Sequence, residues 1–180
     1  EMKADDPKPL QYISEAYKEL GDEDKALEYN QQYMDKNPNA APTDFMKLAE
    51  IYVNKAKKDP AKKVENIDKA IGVYAKLAEK YPTLKPFAKL QEGNTAFQNE
   101  LDDKAIAAYT EVINELEAKQ CDEDELSYLK TSYQYMGFIY TYDKQDFDTA
   151  KPYWDKLLKL DPQNKLANDA YEKAGLKPGE

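Results

Sequence analysis

Apolar and small residues recur along the chain at the spacing of an amphipathic helix. Leu10, Ile13 and Tyr17 would share one face of a 3.6-residue helix, as would Phe45 and Tyr52. No segment shows the sustained period-two alternation that is typical of a half-buried strand. The pattern therefore predicts an all-α protein.

One frame of residues occurs four times. It consists of a small residue, an aromatic or small residue three positions later, a polar turn, an alanine, and a residue four positions after that alanine. The four frames hold Ser14, Ala26 and Asn30; Ala49, Ala70 and Tyr74; Gly93, Ala105 and Tyr109; and Gly137, Ala150 and Trp154. Each frame predicts a helical hairpin whose small residues let two helix axes approach, with the last side chain filling the space beside the alanine. The first frame differs from the others because its last residue is a polar asparagine.

The spacing of the frames predicts two insertions. The distance from small residue to alanine is 12 in the first and third frames, 13 in the fourth and 21 in the second. The distance from alanine to the next small residue is 23, 23 and 32. Pro38, Pro82 and Pro162 are expected to end second helices, and Asp59 followed by Pro60 favours lengthened helices around the first insertion. We expect a single repeat domain over residues 1–180, with units at about 7–40, 42–84, 86–120 and 123–162 and a capping helix at 163–175.

The frame resembles the tetratricopeptide repeat family. The segments that carry the resemblance best are 93–97 followed by 103–109, and 26–29 leading to Asn37 and Pro38. The resemblance covers about residues 7–174 and implies a right-handed α-solenoid of helix-turn-helix repeats. Departures are the two insertions, the missing proline after unit three, and the polar Lys89 and Glu92 at positions that are expected to be apolar.

The resemblance also implies a concave groove lined by the first helix of each unit, where a peptide or protein segment binds. The positions that face it would be Gln11, Glu15, Lys18, Met46, Glu50, Val53, Leu90, Asn94, Phe97, Gln134, Phe138 and Thr141, with Tyr135 and Tyr142 nearby. Phe97, Phe138 and Tyr142 would form an apolar wall, and Asn94 and Gln134 would supply hydrogen bonds. The alternative is that Phe97 and Phe138 belong to the cores of adjacent hairpins.

Charge and composition exclude several classes of function. The chain has 180 residues, 35 acidic and 26 basic, and a net charge of −9, which argues against a phosphate-backbone partner. Histidine and arginine are absent, so no histidine triad, imidazole zinc ligand or arginine finger exists in the chain. The single cysteine, Cys121, has acidic neighbours that keep its thiol neutral. We expect no catalytic residue, metal or cofactor.

The two insertions carry opposite charge. Lysines lie around the first turn, at Lys55, Lys57, Lys58, Lys62 and Lys63, and acidic residues around the second, at Glu115, Glu117, Asp122, Glu123, Asp124 and Glu125. We name the five lysines the basic edge; they would dock an acidic partner, or they are solvated helix ends.

The function predicted from these observations is a non-enzymatic scaffold for protein–protein interaction. Two alternatives stay open: an accessory or substrate-presenting domain of a larger protein, and a solenoid that binds a small molecule or lipid. No apolar run is long enough for a membrane span, so the predicted location is soluble, either cytoplasmic or, after removal of a signal peptide, periplasmic. The sequence predicts neither the partner nor the oligomeric state.

Overall fold

A computed structural model describes residues 6–179, and these residues form α-helices and no β-strand. The helices are α1 (Lys8–Glu19), α2 (Glu23–Lys36), α3 (Pro42–Lys58), α4 (Lys63–Lys80), α5 (Lys85–Phe97), α6 (Asp102–Glu117), α7 (Glu123–Phe138), α8 (Phe147–Leu160) and α9 (Lys165–Ala174). The predicted all-α fold is confirmed. Contacts divide the chain into two compact units, the first ending at Thr95 and the second beginning at Ala96.

Local side-chain chemistry sets where the helices begin. Asp22, Asp122, Asp146 and Asn164 each accept a hydrogen bond from the backbone N–H three residues later, at 3.1, 2.9, 3.0 and 3.2 Å. These bonds satisfy N–H groups that have no partner within the helix. The predicted stops are also present, since α2, α4 and α8 end two residues before a proline.

The first unit contains the hairpins α1–α2 and α3–α4. The Ser14 hydroxyl on α1 donates to the Ala26 carbonyl on α2 at 2.7 Å, so the two axes approach closely at the predicted small residues. A core of buried side chains from α3, α4 and α5, including Ala49, Ala70 and Leu77, fills the centre. Burial of this apolar surface is the main stabilising term for such a unit.

The first insertion lengthens helices and forms no long loop. Helix α3 has 17 residues and α4 has 18, and a single 3₁₀ turn at Pro60–Lys62 joins them. This confirms the interpretation of Asp59 and Pro60 as a compact connection.

The second unit is centred on Trp154 of α8, which is 0% exposed. Helix α7 passes directly over the indole at Gly137, where a Cβ atom would lie only 2.5 Å from the ring. Burial of Trp154 was predicted from the fourth frame and is confirmed. The glycine is needed there because any larger residue would force the two helices apart.

A π-helical segment at Ile139–Asp143 follows α7 directly. The Lys144 N–H donates to the Ile139 carbonyl, five residues back, at 2.9 Å. A π turn holds one residue more than an α turn and therefore rotates the side chains that follow it. This rotation alters which residues share a face with α7.

Helix α9 covers an apolar surface of α8 and α7. Its residues Ala167, Ala170 and Tyr171 are buried, and the Tyr171 ring meets Phe147 edge to face at 5.5 Å. Gly175 ends the helix in a left-handed conformation, with φ of 71°. The helix has the position and the one-sided burial that the predicted capping helix requires.

Candidate partner-binding surface

Four aromatic side chains of the second unit form a continuous surface, which we name the aromatic wall: Phe97, Tyr135, Phe138 and Tyr142. The ring centroid of Phe97 lies 4.7 Å from that of Tyr135 and 5.6 Å from that of Phe138. Phe138 in turn lies 4.8 Å from Tyr142. All four rings are partly exposed. The structure therefore brings together the three residues that were predicted to form an apolar wall.

Helical spacing explains how the wall is assembled. Tyr135 and Phe138 are three residues apart on α7, so their side chains point the same way. Tyr142 lies in the π-helical segment, and Phe97 ends α5. Behind Tyr135 the buried Tyr109 stacks in parallel at 5.4 Å. Burial raises the pKa of Tyr109 strongly, so its hydroxyl stays neutral.

Polar groups lie at the end of the wall near α9. The Lys173 ammonium of α9 lies 4.6 Å from the Tyr142 ring centroid, a cation–π contact. The Gln134 side-chain oxygen accepts from the Asn164 amide at 3.4 Å. No pattern in the sequence indicates a role for Lys173, because its contact with Tyr142 depends on how a separate helix docks.

Two predicted groove residues are placed differently by the structure. Leu90 is 6% exposed, so the prediction that it lines a groove is wrong. Helix α5 has buried residues at Ala88, Leu90, Gly93 and Ala96, on more than one face, and the assumption of one exposed stripe fails there.

The hydroxyl of Thr141 accepts a hydrogen bond from the Trp154 indole at 2.8 Å, so it faces α8 and not a groove. The π turn is the physical reason, since it breaks the i, i+4 register assumed from the sequence. Asn94 is partly buried on α5.

In the first unit the corresponding face carries a ladder of polar pairs between α1 and α3. Gln11 donates to Asp44 at 3.1 Å, Lys47 to Glu15 at 2.5 Å, and Lys18 to Glu50 at 2.6 Å. The remaining predicted groove positions here differ in exposure: Met46 is 38% exposed, and Val53 packs partly buried against the core. This face is polar, in contrast to the aromatic wall.

The basic edge is partly neutralised within the protein. Lys55 pairs with Asp24, and Lys58 donates to Glu23 at 2.6 Å and to the Gly21 carbonyl at 2.7 Å. Of the other three lysines, Lys57 and Lys62 are exposed and Lys63 is partly buried.

Among residues 6–179 no group of three cysteine, aspartate or glutamate side chains could hold a metal ion. The pKa of the Cys121 thiol is raised, mainly by burial and also by the nearby Glu125 and Asp122 carboxylates. The acidic neighbours of Cys121 in the sequence also predict a raised pKa, but burial is the larger cause. No helix within the described range is long and apolar enough to cross a membrane.

Comparison with known proteins confirms the resemblance drawn from the sequence. The tetratricopeptide repeat profile matches residues 10–40 and 45–83, so these two hairpins are similar to tetratricopeptide repeats. Such repeats generally mediate protein–protein interaction and typically serve as non-enzymatic scaffolds. No curated protein matches the chain.

Solved structures show the same fold over most of the chain. The crystal structure of MamA is similar with a TM-score of 0.58 and 19% identity, over 97% of this chain and 85% of MamA. The human IFIT1 dimer with PPP-AAAA is similar with a TM-score of 0.59 and 17% identity, over 91% of this chain. The chain corresponds to only 36% of IFIT1. At these identities the similarity shows the fold alone, an all-α solenoid of tetratricopeptide-like repeats.

Proposed function

We propose that the protein is a non-enzymatic interaction module that binds a peptide or protein segment along the groove face of its repeats, with the aromatic wall as the main contact. The observation that carries the proposal is the unbroken series of ring contacts from Phe97 through Phe138 to Tyr142, with every ring partly exposed. A few residues carry most of the binding energy of a typical interface, and tyrosine is enriched among them.

The ring contacts also favour binding through a lower entropic cost. Each wall side chain is held by a neighbouring ring, so little rotamer freedom is lost when a partner docks. Gln134 lies beside the wall and offers a side-chain amide for hydrogen bonds with an extended segment. In the first unit, Met46, Glu50 and Val53 would offer contacts of their own to a bound segment, and the basic edge would contribute only a secondary contact.

The test is to replace Phe138 by serine and compare capture of the native partner with that by the unaltered protein. We expect Phe138→Ser to weaken capture about ten-fold or more, with helicity by circular dichroism nearly unchanged. The matched control is Tyr12→Ser, an aromatic residue that is 63% exposed on α1 and belongs to the first unit. This control should leave capture unchanged.

Two results would contradict the proposal. If Phe138→Ser unfolds the protein, Phe138 is a core residue and the wall is part of the hydrophobic core. If helicity and capture are both unchanged in Phe138→Ser, the partner binds a surface other than the wall.

A further inference from the structure

A groove of about 540 Å³ lies in the first unit and is bordered by α2, α3 and α4. We name it the second-helix groove, because the second helices of two repeats form its sides. Apolar lining comes from all three helices, through Met34, Phe45, Leu48, Tyr52 and Val73. The polar lining consists of Gln31 and Asp35 on the α2 side and of Lys69 and Lys76 on the α4 side.

Two other repeats contain a stacked pair of tyrosines at matching positions of the frame. In the first repeat, Tyr17 comes three positions after the small residue and Tyr29 three positions after the alanine. Their rings stack at 5.6 Å. In the fourth repeat, Tyr140 and Tyr153 hold the same two positions and stack at 6.1 Å. A ring on the second helix thus covers the tyrosine of the first helix in both repeats.

The second repeat has only one member of this pair. Tyr52 of α3 holds the first position, and Gln31 donates to its hydroxyl at 3.0 Å. The second position holds Val73 of α4, and no ring among residues 6–179 stacks on Tyr52. Next to Val73, a Cβ atom at Gly72 would meet nothing within 4 Å. The second-helix groove is therefore open where the other two repeats hold a tyrosine ring.

A lysine of the groove also lacks the partner that its counterpart has. Lys156 of α8, six positions after the frame alanine, donates to Glu117 at 2.6 Å. Lys76 holds the same position on α4, and Pro38 lies at the position that corresponds to Glu117. No carboxylate among residues 6–179 pairs with Lys76. An acidic side chain that enters the groove can provide this pair.

The other charges of the groove direct a carboxylate toward Lys76. Lys76 follows Gly72 by four residues, so the two positions are neighbours on the surface of α4. Lys69 already pairs with Glu65 at 2.5 Å. Asp35 on the α2 side would repel a carboxylate that is placed there. The groove thus favours one acidic side chain close to the ring.

We propose that the second-helix groove binds a segment of a partner protein in which an aromatic residue lies next to an acidic residue. The aromatic ring packs against Tyr52 in the space above Gly72, and the carboxylate pairs with Lys76. This site goes beyond the proposed function, because it is lined by the first unit alone and the aromatic wall belongs to the second unit.

The experiment titrates the full chain with dipeptides and follows the Gly72 backbone amide and the Val73 methyl groups by NMR. The probes are acetyl-Tyr-Glu-amide and acetyl-Glu-Tyr-amide, one for each chain direction. At least one of them should shift both signals. Replacing tyrosine by alanine in that probe should weaken binding about ten-fold or more, because the ring buries most of the apolar surface. Replacing glutamate by glutamine should weaken it about two- to five-fold, since an exposed ion pair contributes little.

Two variants locate the probe. Gly72→Leu fills the space above Gly72 without a clash and should weaken binding about ten-fold or more, with helicity by circular dichroism unchanged. Lys76→Gln should remove the preference for glutamate over glutamine in the probe. The matched control is Lys57→Gln, an exposed lysine of α3 that does not line the groove and should change neither result.

Several outcomes would overturn this site. They are absence of shifts at Gly72 and Val73, binding that persists in Gly72→Leu, and a glutamate preference that persists in Lys76→Gln. The free acid 3-(4-hydroxyphenyl)propionate separates a small ligand from a peptide. If it binds and neither dipeptide does, the groove excludes a protein segment and the proposal is wrong. Phe138→Ser should leave probe binding unchanged, so failure of the aromatic wall and failure of the second-helix groove are distinguishable.

Discussion

Two glycines within helices, Gly72 and Gly137, have opposite surroundings. A Cβ atom at Gly72 of α4 would meet nothing within 4 Å. A Cβ atom at Gly137 of α7 would lie 2.5 Å from the Trp154 ring. The same change to alanine should therefore have opposite effects at the two positions.

We expect Gly72→Ala to raise the free energy of unfolding by about 0.5–1 kcal/mol, because alanine loses less backbone entropy in a helix. Gly137→Ala should lower it by about 1–3 kcal/mol, since the rigid indole must move. Urea unfolding followed by circular dichroism measures both, and Trp154 fluorescence reports the second unit. A lower free energy of unfolding in Gly72→Ala, or an unchanged one in Gly137→Ala, would contradict the packing around these two glycines.

Much of the packing at the residue scale could be predicted from the sequence. The frame alanines Ala26, Ala70, Ala105 and Ala150 are each 0% exposed. Their burial follows from a short-range pattern, which a single sequence displays. The buried side-chain oxygen of Asn30, which has no hydrogen-bond donor among residues 6–179, could not be predicted, because it depends on which donors the neighbouring helices bring near it.

At the scale of the element, one carboxylate joins three helices of the second unit. Glu117, the last residue of α6, accepts from Tyr133 of α7 at 2.5 Å and from Lys156 of α8 at 2.6 Å. Burial alone would raise the pKa of Glu117, but the hydrogen bonds from Lys156 and Tyr133 outweigh it. The pKa therefore lies below its ordinary value of 4.5.

This lowered pKa predicts how stability depends on pH. A carboxylate with a depressed pKa in the folded state stabilises the protein above its unfolded pKa, and the contribution is lost as the pH falls through the folded pKa. Glu117→Gln should therefore lose less stability than the unaltered protein between about pH 6 and about pH 3. The measurement is urea unfolding at both values, with the exposed Glu172→Gln as control. Equal losses of stability in Glu117→Gln and in the unaltered protein would show that the charge of Glu117 does not contribute to the stability of the contact among the three helices.

Helix α9 allows a second test at the scale of the element. Deletion of residues 163–180 removes Ala167, Ala170 and Tyr171 and exposes the surface that they cover on α8 and α7. We expect a lower melting temperature and lower solubility, because the exposed apolar face has no other cover. The control deletes residues 177–180 only and keeps α9 together with its cap at Gly175. An unchanged melting temperature in the longer deletion would remove the capping role.

The helices were easier to predict from the sequence than their exposed faces. Proline stops and aspartate caps are local signals, and they mark the observed helix ends well. The π-helical segment has no such signal, so the face of Thr141 was misplaced. Leu90 was misplaced because α5 is buried on several sides, which a one-stripe pattern cannot indicate.

At the scale of the whole molecule, the net charge, the basic edge and the aromatic wall favour different kinds of partner. The net charge is −9, so an acidic partner would be repelled unless it met lysines. Within the basic edge, Lys55 and Lys58 already neutralise Asp24 and Glu23. The edge therefore attracts an acidic partner less than its five lysines indicate, and the aromatic wall should dominate binding.

The salt dependence of capture tests this balance. We expect the partner's affinity to change less than about two-fold between 0.1 and 1 M salt, where the screening length falls from about 10 to about 3 Å. Lys57→Glu combined with Lys62→Glu should likewise change it less than about two-fold, because apolar contacts are not screened. The matched comparison is Phe138→Ser, which should weaken capture at every salt concentration. A steep loss of affinity with salt, abolished by the two lysine changes, would instead place the partner on the basic edge.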